Sequence, residues 1–433
     1  MKNKKLLSAI MGLMLLVLLG LSVGNVEKVL GNKPKENNEK QESDLNKNVK
    51  KDGEKDTVEN IRKDVEGKIK TIEIVATGDV LIHKEILDTQ YDSTKDSYDF
   101  NNNFQYIKSY LENADLTIAN LETTLAGKEN YGYSGYPSFN SPDSLADAMK
   151  VAGIDVVANI NNHALDRDVK GYKRTRKTLV DKGFDVIGTR ATDKDKRYII
   201  KDVKGIKMGI TSYGYTMTAT DNKRGLNGIV IPEDILPLMN IFHPDNLNWD
   251  LENMKEQIAN MKADGAEVIV FYMHWGDEYE LEPNPMQVKI AQFLADEKVD
   301  IIFGTHPHSL QPIDILKSSD GTSKTPVIYS MGNFLSSQRT ERIQNPYTED
   351  GVIVSVNITK NLESNEIVVK TPTYIPTWVN WYEKKDKLFY EVVPATINDA
   401  EYLTEEGKKR VVESYNRTKK VIEKYNDKIK VKV

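Results

Sequence analysis

Val299-Asp300-Ile301-Ile302-Phe303 runs straight into Gly304-Thr305-His306-Pro307-His308, and the reading of this passage decides the fold. A short apolar run that stops at glycine reads as a buried strand reaching its end. Residues two apart in an extended segment share a face, so the two imidazoles are expected to aim at one point where the strand runs out. The chain has six histidines. His83, His163 and His274 also sit near the ends of apolar stretches, and only His243 lies in an ordinary polar loop. Histidines gathered at strand exits point to one metal-centred site at the edge of a buried sheet.

The same form repeats on either side. Val268-Ile269-Val270-Phe271-Tyr272-Met273 is apolar throughout, as expected of a strand covered on both faces, and it exits at His274-Trp275-Gly276-Asp277-Glu278. Thr71–Thr77 ends at Gly78-Asp79, with His83 four residues on. Asp115–Ala119 leads into Asn120-Leu121-Glu122, again a polar pair two apart. Ile154–Ala158 empties into Asn159-Ile160-Asn161-Asn162-His163-Ala164-Leu165-Asp166, where Asp166 is spaced to orient the His163 ring if the segment turns helical. Pro326–Met331 ends at Gly332-Asn333-Phe334. In open α/β sheets, ligands bind at the carboxyl ends of the strands.

Between these strands lie helical patterns. One starts at Ser141-Pro142-Asp143, with a capping hydroxyl and an N1 proline, and ends at Gly153. Others run over Asp168–Lys182, Leu251–Asp264 and Pro285–Val299, with Leu403–Tyr425 as an amphipathic tail helix. Phe184–Gly188 and Lys204–Gly214 are expected as further strands, and Val352–Val356 and Ile367–Thr371 as terminal ones. Residues 215–248 read as a long loop, and Tyr131–Pro137 as an aromatic, glycine-rich loop able to line a cleft. The alternation defines α/β architecture.

There is no cysteine among the 433 residues, which excludes disulfides, thiolate metal sites and a diacylglyceryl anchor. A net charge of −6 gives no electrostatic reason to expect nucleic acid. Lys2, Lys4 and Lys5 precede an uncharged apolar run from Leu6 to Val23. As a helix it would span about 27 Å, slightly under a hydrocarbon core of roughly 30 Å. Residues 1–30 are therefore expected to be a signal peptide or a membrane anchor, and the lack of a clean A-x-A site before Val26 favours the anchor. Either way, the rest of the chain is expected on the extracellular face of the cell membrane, or secreted. Residues 31–70, rich in Lys, Glu, Asn and Asp, are expected to be a disordered linker with a short helix near 57–66, and residues 71–433 the folded domain.

Asp79, Glu122, Asn162, His274, His306 and His308 together form a set of hard oxygen and imidazole ligands. Two divalent ions roughly 3.5–4 Å apart need about this many groups, with one carboxylate bridging. Mn, Zn or Fe suits such a set; Mg alone would not explain the imidazoles.

Taken in order, Gly78-Asp79, Asn120-Leu121-Glu122, Asn161-Asn162-His163, His274-Trp275-Gly276-Asp277-Glu278, Gly304-Thr305-His306-Pro307-His308 and Gly332-Asn333-Phe334 resemble the motif series of the CapA family of poly-γ-glutamate capsule synthesis proteins. That family in turn resembles calcineurin-like metallophosphoesterases. The resemblance covers about residues 72–340 and implies a four-layer α/β/β/α sandwich, metallophosphatase-like, with two sheets face to face and helices outside. It implies that Asp79 and His308 hold one metal, that Asn162, His274 and His306 hold the other, and that Glu122 bridges. His163, steadied by Asp166, becomes the general acid for the leaving oxygen. His83, Asn120, Glu278 and Asn333 are expected on the substrate side. Two departures stand out: His83 lies further from Asp79 than the Asp-x-His of the phosphoesterases, and Glu122 replaces a bridging Asp. The implied partners are poly-γ-glutamate or another anionic surface polymer, and capsule synthase subunits. The implied role is hydrolase-type chemistry or, alternatively, non-catalytic polymer binding. Lys173, Arg174, Arg176, Lys177 and Arg190 could help to receive a polyanion, although a solvated helix face explains them better.

Overall fold

The computed structural model describes residues 68–432, all within the compact unit Asp64–Val433. The apolar N-terminal run, nearly all of the charged linker and its expected helix lie outside the described residues. No helix among the described residues is long and apolar enough to cross a membrane.

Two large sheets carry the fold. In the first, Ile69–Val80 lies between the parallel strand Leu116–Leu121 and the antiparallel strand Asp350–Asn361. Val156–Ala158 and Asp185–Ile187 continue the parallel side, and the hairpin Thr373–Lys384/Lys387–Pro394 closes the antiparallel side. In the second, Ile206–Tyr215, Val268–His274, Ile301–Thr305 and Lys324–Met331 run parallel, with Leu310–Lys317 antiparallel at the edge.

The period-2 alternation of the strands explains how the layers stack. Ile72, Ile74 and Ala76 share one buried core with Met208, Ile210, Val268, Val270 and Tyr272, so that core lies between the two sheets. The intervening Val75 turns the other way, toward Leu145 and Met149 of the helix Ser144–Val151 and Leu179 of the helix Asp168–Asp181. On the far side Ile269, Phe271 and Met273 pack against Met254 and Ile258 of the helix Leu247–Ala263 and Ile290 and Leu294 of the helix Pro285–Asp296. The result is a four-layer α/β/β/α sandwich. Its parallel strands are apolar on both faces because both faces are covered.

Several elements differ from the expectations above. The helix expected from Ser141 starts at Ser144, and the Ser141 hydroxyl meets Thr123 Oγ1 at 2.9 Å instead of capping. The expected loop 215–248 holds a small three-stranded sheet formed by Met217–Thr218, Arg224–Leu226 and Ile229–Val230. Leu310–Lys317 contains Pro312, which argues against a central strand but is tolerated in this edge one. The hairpin turn Lys385-Asp386 places both residues at positive φ, 53° and 59°, without the glycine that normally announces such a turn. The expected strand Ile367–Thr371 shortens to Ile367–Val369, and the main pairing passes to Thr373–Lys384.

Candidate metal centre

The strand ends converge because glycines let backbones touch. A Cβ on Gly78 would stand 1.9 Å from the Gly332 carbonyl oxygen, so no side chain fits where the Asp79 and Asn333 strands meet. Asp79 is paired in register with both Asn120 and Asn333, and His274 with Thr305. A Cβ on Gly304 would come within 2.2 Å of the Tyr329 carbonyl oxygen. The His-Pro-His turn corrects one expectation. The strand stops at Thr305, and His306 and His308 have φ of 99° and 54°, so the rings converge through left-handed backbone and not through the alternation of a pleat. Such conformations cost on the order of 1–3 kcal/mol each and cluster where function over-determines the structure.

Asp79 and Glu122 are fully buried, and His274, His306 and His308 are at most 2% exposed. Asn120 Nδ2 donates to Asp79 Oδ1 at 2.7 Å, and the His306 backbone N–H donates to Asp79 Oδ2 at 3.2 Å. Glu122 Oε1 lies 3.6 Å from His274 Nε2 and 3.8 Å from His308 Nε2. Asp79 Oδ2 lies 3.5 Å from His308 Nδ1. Asn162 Oδ1 meets His274 Nε2 at 2.8 Å. No donor reaches either oxygen of Glu122, and the nearby Asp79 carboxylate is itself an acceptor. His306 Nδ1 is also buried without a partner. Two triads, Glu122–His306–His308 and Asp79–Glu122–His274, each offer three ligand atoms within 4.8 Å of one another.

Electrostatics agree with this geometry. Burial, reinforced by the Asp79 and Glu278 charges, holds the Glu122 carboxyl well above the ordinary range. Burial, then the neighbouring rings, holds His274 and His306 well below theirs, so both stay neutral and keep lone pairs. At His308 burial works against the charged form, but the hydrogen bond and charge of Asp79 outweigh it and raise the ring. Orphaned buried acceptors around neutral imidazoles are a poor hydrogen-bonded core and a good fit for a divalent cation.

His163 stands beside this cluster. Its Nδ1 lies 2.8 Å from Asp166 Oδ2, and that oxygen also accepts from the Phe139 N–H at 2.6 Å. Phe139 packs edge-on against His163 and against His83, with ring centroids 4.7 and 5.3 Å away. His83 belongs to neither ligand triad. Its Nδ1 is buried without a partner, and burial pushes its pKa down to about 4. Glu278 lies exposed at the rim, close enough to raise both Glu122 and His308. Asn120 and Asn333, expected on the substrate side, are both buried; Asn120 orients Asp79, and Asn333 Oδ1 meets His308 Nδ1 at 3.1 Å. Three of the five residues of the basic cluster have partners outside the site. Arg174 pairs with Asp143, Lys177 with Asp181, and the Arg190 guanidinium binds backbone carbonyls.

Three neighbours were not legible in the sequence. Asn227, at the tip of the small sheet, approaches both ring nitrogens of His163 at 3.3 and 3.4 Å and accepts from Asn162 Nδ2. Tyr215 packs 4.7 Å from the His306 ring. Thr305 Oγ1 contacts His274 Nδ1 at 3.1 Å. Asn227-Gly228 is a hairpin dipeptide in its own right, so the pair of short strands around it was the available signal.

A four-layer α/β/β/α sandwich with an acid and imidazole cluster at the carboxyl ends of its strands is a metallophosphatase-like fold. Within that class the chain belongs to the bacterial capsule synthesis protein family PGA_cap, whose profile matches residues 73–338. It is 28% identical over 265 residues to the capsule biosynthesis protein CapA of Bacillus anthracis and 27% identical over 265 to the PGA biosynthesis protein CapA of Bacillus subtilis. Each alignment covers 60% of this chain, and 58% and 61% of those proteins, so the chain spans about three fifths of the curated relatives it matches. A probable polyglutamine synthesis accessory protein of Mycobacterium tuberculosis is 22% identical over 239 residues, covering 52% of this chain and 56% of that one. Among solved structures, a phosphatase from Mycoplasma pneumoniae overlaps with TM-score 0.38 at 15% identity, covering 71% of this chain and 94% of that one. The overlap is loose, and the layers and registers above describe the fold without it.

Proposed function

We propose that this chain is an exported capsule-synthesis protein whose strand-exit cluster binds divalent metal, two ions of the Mn, Zn or Fe type, and acts on an anionic surface polymer such as poly-γ-glutamate. The observation that carries the proposal is Glu122, a fully buried carboxylate with no donor on either oxygen and two imidazoles within 3.8 Å. Asp79, Glu122, Asn162, His274, His306 and His308 are the holding residues. Ions held there would polarise a substrate oxygen and activate water for hydrolysis.

The chain's own groups supply the rest. Asn120 and the His306 N–H fix the Asp79 carboxylate, leaving its remaining lone pairs toward the cluster. Asp166 accepts a hydrogen bond from His163 Nδ1–H and so orients the ring, which leaves Nε2 as the nitrogen that would deliver a proton to a departing oxygen. The names of the relatives suggest the polymer, and the uncharged run Leu6–Val23 suggests the membrane side on which it is met.

The test is metal analysis of the full chain, then a screen of phosphodiester and γ-glutamyl substrates with Mn and Zn. Stoichiometric metal, with His163→Ala keeping the metal and losing at least about 100-fold in turnover, is the expected result. Metal-free protein with all six ligands intact would overturn it. Bound metal with no turnover on any substrate would favour the second reading, a polymer-binding accessory subunit, which the name of the Mycobacterium relative also suggests.

A further inference from the structure

We infer that Asn333 is a positioning residue that fixes the tautomer of His308, and that the C-terminal helix Glu405–Ile422 holds Asn333 in place. The inference rests on the metal reading for its purpose but not for its geometry. Asn333 Nδ2 faces the carbonyl oxygens of His308, at 3.3 Å, and Thr348, at 3.0 Å. Carbonyls only accept, so the amide cannot flip, and Oδ1 must be the atom 3.1 Å from His308 Nδ1. The other neighbour of that nitrogen, Asp79 Oδ2 at 3.5 Å, is also an acceptor. His308 Nδ1 therefore carries the hydrogen. The neutral ring is left with a bare Nε2 facing Glu122 Oε1 at 3.8 Å, two lone-pair atoms aimed at one place. This is the arrangement in which an outer partner selects the metal-binding nitrogen.

What holds the Thr348 carbonyl lies beyond the stretch matched by the family profile, which ends at residue 338. The next two residues, Glu349 and Asp350, are buried carboxylates gripped from one face of the C-terminal helix. Arg410 Nη2 donates to both oxygens of Glu349 at 2.7 and 2.8 Å, and Arg417 binds Asp350 in bidentate fashion at 2.8 and 2.8 Å. Trp378 Nε1 and the N–H and hydroxyl of Thr340 also donate to Glu349, at 2.9, 2.8 and 2.8 Å. The segment 348–350 is thus pinned from outside, and its carbonyl reaches inward to the amide that sets the histidine.

The experiment is ¹⁵N NMR of histidine-labelled full-length protein without added metal, at alkaline pH where imidazole is neutral, with the His308 signal assigned by its loss in His308→Gln. Wild type is expected to show the Nδ1–H pattern. Asn333→Leu, similar in size but without the amide, is expected to move His308 toward the Nε2–H form and to weaken Mn²⁺ binding 10–100-fold by titration calorimetry. Arg410→Met, which leaves Asn333 intact, is expected to move both readouts the same way by a smaller factor. An Nε2–H pattern in wild type would overturn the inference whether or not either variant folds, as would an unchanged tautomer in a folded Asn333→Leu. Loss of Mn²⁺ binding in wild type with the Nδ1–H pattern intact overturns the metal reading alone and supports this one.

Discussion

Glu122 is the residue on which the site turns, and its burial makes a measurable claim. Its folded-state pKa is raised while the unfolded value is ordinary, so between those two values the folded state holds a proton that the unfolded state releases. Its contribution to stability is therefore complete below the ordinary carboxylate pKa and is lost as pH rises. In chelator, Glu122→Gln should outlast wild type in denaturant, with an advantage growing by about 1.4 kcal/mol per pH unit above that range until Glu122 ionises. With saturating metal the order should reverse, because the amide gives up the charge that holds the cation. A chelator advantage independent of pH would mean that Glu122 has partners the geometry does not show.

At the scale of elements, the site depends on two strands touching without side chains. Gly78→Ala places a methyl against the Gly332 backbone, not against a movable side chain, so the strands must part. Urea unfolding should show a loss of about 1–3 kcal/mol or more, accompanied by weaker metal binding because Asp79 leaves its place beside Asn120. Asp300, which opens the strand Ile301–Thr305 and accepts from the Ile269 N–H at 2.8 Å, offers a second test. Burial raises its pKa to about 6, so it favours the fold at low pH and costs stability as pH rises from the ordinary carboxylate value through 6. Asp300→Asn keeps the acceptor and removes the charge. It should gain on the order of 2 kcal/mol over wild type at pH 8 and nearly nothing at pH 4, read from paired denaturation midpoints.

Across the whole molecule, the C-terminal helix is tied to the central sheet by charge as well as by apolar contact. Asp350 is buried, and burial raises its pKa to about 6 in spite of Arg417. Removing the cation leaves a buried charge without a counterion. Arg417→Met should therefore cost about 3–5 kcal/mol at pH 8, and distinctly less at pH 5, where Asp350 can take up a proton. Equal losses at both pH values would mean that Arg417 works through packing alone.

The apolar run that empties into polar ligand residues, and the alternation with helices, follow from local rules, since period and turn chemistry act between neighbours. Six ligand candidates were legible in this way because polar residues at apolar strand ends are costly and conspicuous. The hairpin Thr373–Lys384/Lys387–Pro394 and the edge strand with Pro312 were not legible, because their stability comes from partners far away in the chain. The contact of Asn227 with His163, the anchoring of Asn333 through Thr348, and the left-handed turn that joins His306 and His308 also belong to tertiary structure. A residue's type announces what it can bind, but which of its atoms is free to do so depends on the neighbours that folding brings to it.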